Sequence, residues 1–376
     1  MKYRIFDKSG KQVSLLGFGA MRLPILNRDM SRIDEPLAVA MIRKAIDSGV
    51  NYVDTAYPYH GGKSEVAVGK ALSDGYRDKV LLADKYPTWL TREGSDVSRY
   101  LTEQLGRLGT DRLDIYLIHS VNRENWELVR KCGVLAALEK EKARGRIKYI
   151  GFSFHDEIGL FKDVIDAYPW DLCQIQLNFM DEKFQAGAEG LKYAAAKGIQ
   201  TVVMEPLKGG KLTDAVPPTV EDIWGRADVK RSPAEWAFKW LADFPEILTI
   251  LSGMSKMEQV DENLRIFSEM ENDNLTGQER KIISMAAAEY NRLIPYSCTA
   301  CDYCQPCPSG IRIPGVIESR NEWEIYKNRK IGAMLRMWTP KGHFPSDCVK
   351  CGECEKKCPQ KLPVMRIMKE AAELFE

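Results

Sequence analysis

Short apolar runs alternate with amphipathic stretches along most of the chain. The runs are LGFGAM, NYVDTA, VLLADKY, LDIYLIH, IKYIGFSF, DLCQIQLN, IQTVVMEP and ILTILSG, spread between Leu16 and Gly253. Between them lie segments with helical spacing, such as PLAVAMIRKAIDSG, SDVSRYLTEQLGRLG and SKMEQVDENLRIFSEM, each closed by a Gly or Pro break. Strands that are apolar throughout suit a parallel sheet buried on both faces. Eight strands and eight helices in strict alternation, within about 250 residues, predict a (β/α)8 barrel. A doubly wound open sheet is the competing arrangement, but it calls for a Gly-rich phosphate turn after its first strand, and LGFGAMRL lacks the third glycine. KYRIF and QVSLL around DKSGK read as an N-terminal hairpin. TGQERKIISMAAAEYNRL is a further helix, and Ile294-Pro295 marks a boundary. The expected domains are therefore 1–294, the barrel, and 295–376, a small and mainly helical tail.

Polar side chains at the ends of apolar strands point to chemistry, because barrel enzymes place their reacting groups at the C-terminal strand ends. The second run ends in Asp54, with Tyr59 close behind; the third ends in Lys85 and the fourth in His119. An ammonium beside a phenol favours the phenolate and lowers its pKa. Lys85, held charged by Asp54, would so tune Tyr59 as a general acid, while His119 orients a substrate oxygen. Each residue also has a plain alternative: a buried ion pair, a strand-end histidine, a pocket aromatic. Trp89 and Trp126 are either pocket walls or helix packing. His60 and His155 lie near the expected mouth, and Glu205 is a second carboxylate there or a partner for Lys208.

Composition narrows the classes. Lys and Arg number 54 against 53 Asp and Glu, a net charge of +1. No general affinity for nucleic acid or anionic membrane follows from that balance, and no apolar run reaches the length of a membrane span. The start, MKYRIFDKSG, carries no apolar signal segment, so a reducing, cytoplasmic setting is expected.

The cysteines change the picture most. Eight of ten fall in two runs, Cys298, Cys301, Cys304 and Cys307, then Cys348, Cys351, Cys354 and Cys358. The second run has the C-x2-C-x2-C-x3-C-P spacing of bacterial ferredoxins; the first is one residue short in its last interval. Two [4Fe–4S] clusters are the expectation. In two-cluster ferredoxins the last cysteine of each run serves the other cluster. That groups Cys298, Cys301, Cys304 and Cys358, and separately Cys348, Cys351, Cys354 and Cys307. Zinc competes, but it draws its four ligands as separated pairs, which suits evenly spaced triplets poorly. His343, just before the second run, reads as a surface residue.

Residues 13–270 resemble the aldo/keto reductases. NYVDTAYPYHGGKSEVAVGKAL is similar to that family's D-T-A-x-x-Y segment with its following S-E-x-x-x-G, LLADKY to its lysine strand and LDIYLIHS to its histidine strand. The resemblance implies a tetrad of Asp54, Tyr59, Lys85 and His119 and a nicotinamide cofactor, NADP(H) or NAD(H), lying across the barrel mouth. It implies carboxamide contacts from Ser153 and Gln174, and a pyrophosphate loop at Pro206, Leu207, Gly209 and Gly210. It also implies adenosine contacts from Glu262 and Asn263, with Lys256 nearby. Two departures stand out: Phe154 follows Ser153 where many members have Asn, and Met204 stands where a tyrosine commonly stacks on nicotinamide. With its tail, the chain resembles a bacterial and archaeal subgroup fused to a ferredoxin-type domain.

The expected function is an oxidoreductase acting on a carbonyl or alcohol, with clusters that exchange electrons with the active site or a ferredoxin-like partner. A hydride carries two electrons and a cluster passes one, so coupling needs a converter; the phosphate sites of barrel mouths leave a flavin open. Two alternatives stand beside it: a NAD(P)H-dependent carbonyl reductase with structural or docking clusters, and a non-enzymatic electron-transfer protein on a retired barrel. Substrate, reaction direction and oligomeric state do not follow from the sequence.

Overall fold

The computed structural model describes residues 1–27, 29–214, 216–270, 275–298, 303–328, 330–358 and 360–376. Ten strands are found among them: β1 (Tyr3–Phe6), β2 (Lys11–Ser14), β3 (Leu16–Gly19), β4 (Tyr52–Asp54), β5 (Leu81–Tyr86), β6 (Leu113–Val121), β7 (Ile147–Phe154), β8 (Leu172–Gln176), β9 (Gln200–Met204) and β10 (Ile247–Gly253). β1 and β2 form an antiparallel hairpin. The other eight close a parallel barrel in which β10 pairs with both β9 and β3. Hairpin and barrel are as the apolar pattern predicts.

Two apolar layers hold this unit. Inside the barrel, Tyr52, Leu81, Ala83, Ile115, Leu117, Leu172, Val202 and Leu248 form one cluster, which Phe6 and Val13 of the hairpin join. Outside, alternate strand residues such as Val53, Leu82, Ile118, Ile150 and Val203 pack against the helices. This division follows from the two-residue period of a strand, whose successive side chains face opposite sides. Helix starts obey the expected chemistry. Asp34 caps Glu35–Asp47 by accepting from the Leu37 N–H at 3.3 Å, and Ser232 caps Pro233–Ala242 by accepting from the Glu235 N–H at 3.1 Å.

One helix, Arg123–Lys131, was not legible in the pattern, since its buried side chains are only Asn125, Trp126 and Val129. Trp126 lies in the outer core beside Trp170, ring centres 6.3 Å apart, and not in a substrate pocket.

Chain contacts divide the molecule into two compact units, Met1–Gly210 with Arg231–Arg280, and Lys211–Lys230 with Lys281–Glu376. The second unit thus takes residues on both sides of Ile294-Pro295. It is helical, with Ile313–Tyr326, Lys330–Trp338 and Val364–Phe375 its main elements. Trp323 meets Phe375 edge-on at 6.0 Å. The Tyr296 hydroxyl donates to Glu370 at 2.8–2.9 Å, and Arg320 Nε reaches the same carboxylate at 3.0 Å. Among the described residues, no helix is long and apolar enough to cross a membrane.

Candidate active site and candidate cluster pocket

β4 and β5 are register neighbours, and their ends bring Asp54 and Lys85 together. Lys85 Nζ donates to Asp54 Oδ1 at 2.5 Å and to the Thr55 carbonyl at 2.7 Å. Both side chains are almost fully buried. Burial opposes the Lys85 ammonium, yet Asp54 and Tyr59 beside it hold its pKa above the ordinary lysine value. Lys85 Nζ lies 5.0 Å from the centre of the Tyr59 ring, and that ring stands edge-on to His119 with centres 6.0 Å apart. The structure therefore assembles the four expected residues at one end of the barrel.

The protonation states differ from the sequence-based expectation in one respect. The Tyr59 hydroxyl is pushed above the ordinary phenol value, because burial outweighs the Lys85 ammonium, and Asp54 and Glu205 push the same way. Tyr59 is thus a neutral phenol at neutral pH, fit to give a proton. His119 is held well below the ordinary histidine value by burial, then by the charge of Lys85 and by His155. Its imidazole is neutral, and Nδ1 has no hydrogen-bond partner among the described residues. Thr88 Oγ1 fixes the strand end by donating to the His119 carbonyl at 2.8 Å. The Trp89 ring lies 5.2 Å from the His119 ring and is 43% exposed, which makes it a wall of the mouth.

Behind Lys85 lies a polar network that sequence reasoning missed. Asp84 and Lys85 are consecutive, so they face opposite sides of β5. Asp84 Oδ1 accepts the Lys85 N–H at 2.7 Å, and Gln104 Nε2 donates to the Lys85 carbonyl at 3.1 Å. The Tyr116 hydroxyl donates to Gln104 Oε1 at 2.5 Å. Glu65, fully buried, pairs with Arg107 at 2.7 Å. Burial pushes the Asp84 carboxyl well above the usual range, and the adjacent Glu65 adds to it. The signal was two successive charges inside an otherwise apolar run: a buried strand has room for such a pair only if each finds its own partner.

Other expected positions fall as follows. Ser153 and Gln174 are register partners across β7 and β8. Ser153 Oγ accepts the Ser120 N–H at 2.8 Å, which leaves its own hydrogen to give. Gln174 Oε1 is buried without a partner among the described residues, while its Nε2 reaches Met204 Sδ at 3.6 Å. Asn263 is buried and donates to Ser252 Oγ at 3.0 Å at the end of β10. Lys256 is exposed, Glu262 half-buried and Pro206 buried, and Leu207, Gly209 and Gly210 are half-buried. Lys208 pairs with Asp181 at 2.7 Å rather than with Glu205; Glu205 faces Arg22 instead, at 3.9 Å. His60 is buried, its Nδ1 2.7 Å from the Met30 carbonyl, and so serves the loop and not the mouth. The residues present fit a nicotinamide dinucleotide: Gln174 offers a buried acceptor beside the Ser153 hydroxyl, and glycines floor the loop after β9.

In the second unit, Cys304, Cys307, Cys348, Cys351 and Cys354 line one pocket with Ile311, Ile313, Val364, Met365 and Met368. Cys304 and Cys307 of the first run therefore share one pocket with the first three cysteines of the second. Cys298 and Cys358 are half-buried outside that lining, and Cys301 lies outside the described residues. Among the described residues, no three such side chains converge on the volume of a single ion. Thiolates spread around an apolar pocket fit a cube of iron and sulfide, which wants its ligands on separate corners. His343 is half-buried, not a surface residue, with Nδ1 2.8 Å from the Ser309 carbonyl.

A parallel barrel with a Tyr–Lys–Asp–His constellation at one end and a cysteine-lined pocket in a separate unit defines an oxidoreductase with an iron–sulfur domain. The chain belongs to the aldo/keto reductase family, whose model matches residues 15–283, and a 4Fe-4S dicluster domain matches residues 297–362. It is 27% identical to L-galactose dehydrogenase of Arabidopsis thaliana, over 77% of this chain and 94% of that one. It is 26% identical to the NADH-specific methylglyoxal reductase of Escherichia coli, over 67% and 89%. Among solved structures, the holo form of an aldo-keto reductase from Bacillus halodurans shares the fold, with a TM-score of 0.64 at 24% identity over 76% of this chain and 96% of that one. The flavin alternative gains no support from these comparisons.

Proposed function

We propose that the barrel binds a nicotinamide dinucleotide and interconverts a small carbonyl compound and its alcohol, while the tail clusters exchange single electrons with a ferredoxin-like partner. The observation that carries the reading is the Lys85–Asp54 pair beneath a protonated Tyr59, with a neutral His119 edge-on to it. When bound, the nicotinamide supplies or accepts the hydride. The chain's own residues do the rest. Tyr59 gives its proton to the carbonyl oxygen as that oxygen gains charge, and Lys85 stabilises the phenolate left behind. His119 donates one N–H to the same oxygen and sets its position. Trp89 shields the site on one side, and Ser153 and Gln174 orient the carboxamide end of the dinucleotide. Cys298, Cys301, Cys304 and Cys358 would hold one cluster, and Cys348, Cys351, Cys354 and Cys307 the other.

One observation favours a second reading, in which the clusters are structural. The cysteine pocket is floored by Ile311, Ile313, Val364 and Met368, all buried, so a cluster there also serves as core for helix Val364–Phe375. Anaerobic titration of the holoprotein with NADH and NADPH, with and without a panel of aldehydes and ketones, separates the two. Carbonyl-dependent cofactor oxidation together with a change in the cluster EPR signal supports electron exchange. Oxidation with silent clusters supports the structural role. A protein that oxidises neither cofactor with any carbonyl sinks the barrel assignment.

A further inference from the structure

The helix Lys330–Trp338 in the second unit has one seated face and one open face. Ile331 and Gly332 are buried, and Gly332 lies so close to helix Val364–Phe375 that a Cβ there would stand 2.9 Å from Phe375 Cδ1. Arg336 fixes the C-terminal end by donating to the Phe375 carbonyl. On the other side Ala333, Met334, Met337 and Trp338 are all exposed, the last three at 50%, 61% and 74%. Their spacing puts the four on a single helix face. Single exposed apolar residues are ordinary, but a tryptophan grouped with two methionines has the make-up of an interface centre.

The stretch around this face carries one sign of charge. Residues 327–346 include Lys327, Lys330, Arg336 and Lys341 and no Asp or Glu. Carboxylates that reach the stretch are already held, Glu324 by Arg320 and Lys327, and Glu376 by Ser346. Lys330 and Lys341 are exposed and pair with no carboxylate among the described residues. An apolar centre inside a basic rim complements an acidic partner protein and steers its approach. A lipid surface would ask for more apolar area than four side chains supply, or for a second anchor.

The same element leads to the cysteines. No more than about 18 Å of chain separates Trp338 from His343. His343 Nδ1 lies 2.8 Å from the Ser309 carbonyl, and its ring lies over Gly310, leaving no room for a Cβ there. The Gly310 N–H in turn donates to the Cys307 carbonyl at 2.8 Å. The C-terminal end of the helix is thus tied to the turn that carries one expected cluster ligand. We propose that the open face of Lys330–Trp338 is the docking surface for an acidic one-electron carrier protein, with Met337 and Trp338 at its centre and Lys330 and Lys341 at its rim. The proposal rests on the electron-exchange reading of the tail and names where the carrier sits.

Binding is measured by calorimetry on the anaerobic holoprotein, with a small acidic ferredoxin as the probe, at low and high salt. The parent is expected to bind, and more weakly at high salt. Trp338→Ala is expected to weaken binding about tenfold, and the double variant Lys330→Glu, Lys341→Glu about as much, with a flatter salt dependence. All three side chains are exposed, so iron content and circular dichroism should match the parent's. Trp338→Ala binding within twofold of the parent overturns the surface, and so does a parent that does not bind the ferredoxin. A parent dimer that Trp338→Ala splits in sedimentation gives the face to a second copy and overturns it too. Binding to phosphatidylglycerol vesicles but not to the ferredoxin gives it to a membrane, with the same result. Stopped-flow reduction separates the proposal from the reading beneath it. Clusters that reduced ferredoxin fills equally fast in parent and Trp338→Ala remove the surface and leave electron exchange standing. Clusters of the parent that it cannot reduce sink electron exchange itself.

Discussion

On the proposed reading Tyr59 is the proton donor of the barrel, and its surroundings favour giving a proton over taking one. Burial holds the phenol protonated, and Lys85 stabilises the anion formed after transfer. Tyr59→Phe should therefore lower kcat for carbonyl reduction by about 10²–10⁴-fold, while NAD(P)H fluorescence titration shows unchanged affinity. The four tetrad residues were legible because each is a polar side chain closing or following an apolar run. The direction of the Tyr59 shift was not, since it depends on how completely neighbouring elements exclude water. Asp84 makes a second residue-scale prediction. Its carboxyl is raised well above the usual 3.8, so the folded protein holds a proton that the unfolded chain gives up above about pH 4. Stability is full below that pH and falls as pH rises toward the folded value. Asp84→Asn keeps an acceptor for the Lys85 N–H and has no proton to lose. Its melting temperature should decline less than the parent's between pH 5 and 8; parallel curves would remove Asp84 as the cause.

Elements were readable where their period was strong. The eight barrel strands and the hairpin follow the apolar runs, but Arg123–Lys131 offers few apolar positions to any period. Its hold on the barrel is Trp126, buried beside Trp170. Trp126→Ala should cost about 3–5 kcal/mol in chemical denaturation, with cofactor affinity intact, because the ring serves the core. The helices Lys63–Leu72 and Asp96–Leu108 meet through Glu65 and Arg107. Glu65→Ala would leave Arg107 short of a partner and Asp84 facing an empty site. A loss of about 2–3 kcal/mol, seen as a lower denaturation midpoint, is the expected outcome.

At the scale of the whole molecule, the tail's spacing announced clusters, but which cysteines share one depends on how two runs more than forty residues apart fold together. Cys304 and Cys307 share a pocket with Cys348, Cys351 and Cys354, and paired substitutions show which cluster Cys307 serves. Cys307→Ser and Cys351→Ser should perturb the same cluster, changing one set of EPR features alike and lowering iron content together. Different features in the two variants would mean that Cys307 serves its own run.

Arg4 donates from β1 to the carbonyls of Phe244 at 2.6 Å and Ala242 at 2.7 Å, and β10 then pairs with β3. The first strand of the barrel, β3, is therefore satisfied by its last. A ribosome adding about 5–20 residues per second makes β3 long before β10, so that edge waits on the order of ten seconds or more with its backbone groups unpaired. An open parallel edge is a template for other chains. During synthesis this protein is exposed to aggregation for as long as the ring lacks its final strand, and a chain cut short before Ile247 would keep that exposure permanently.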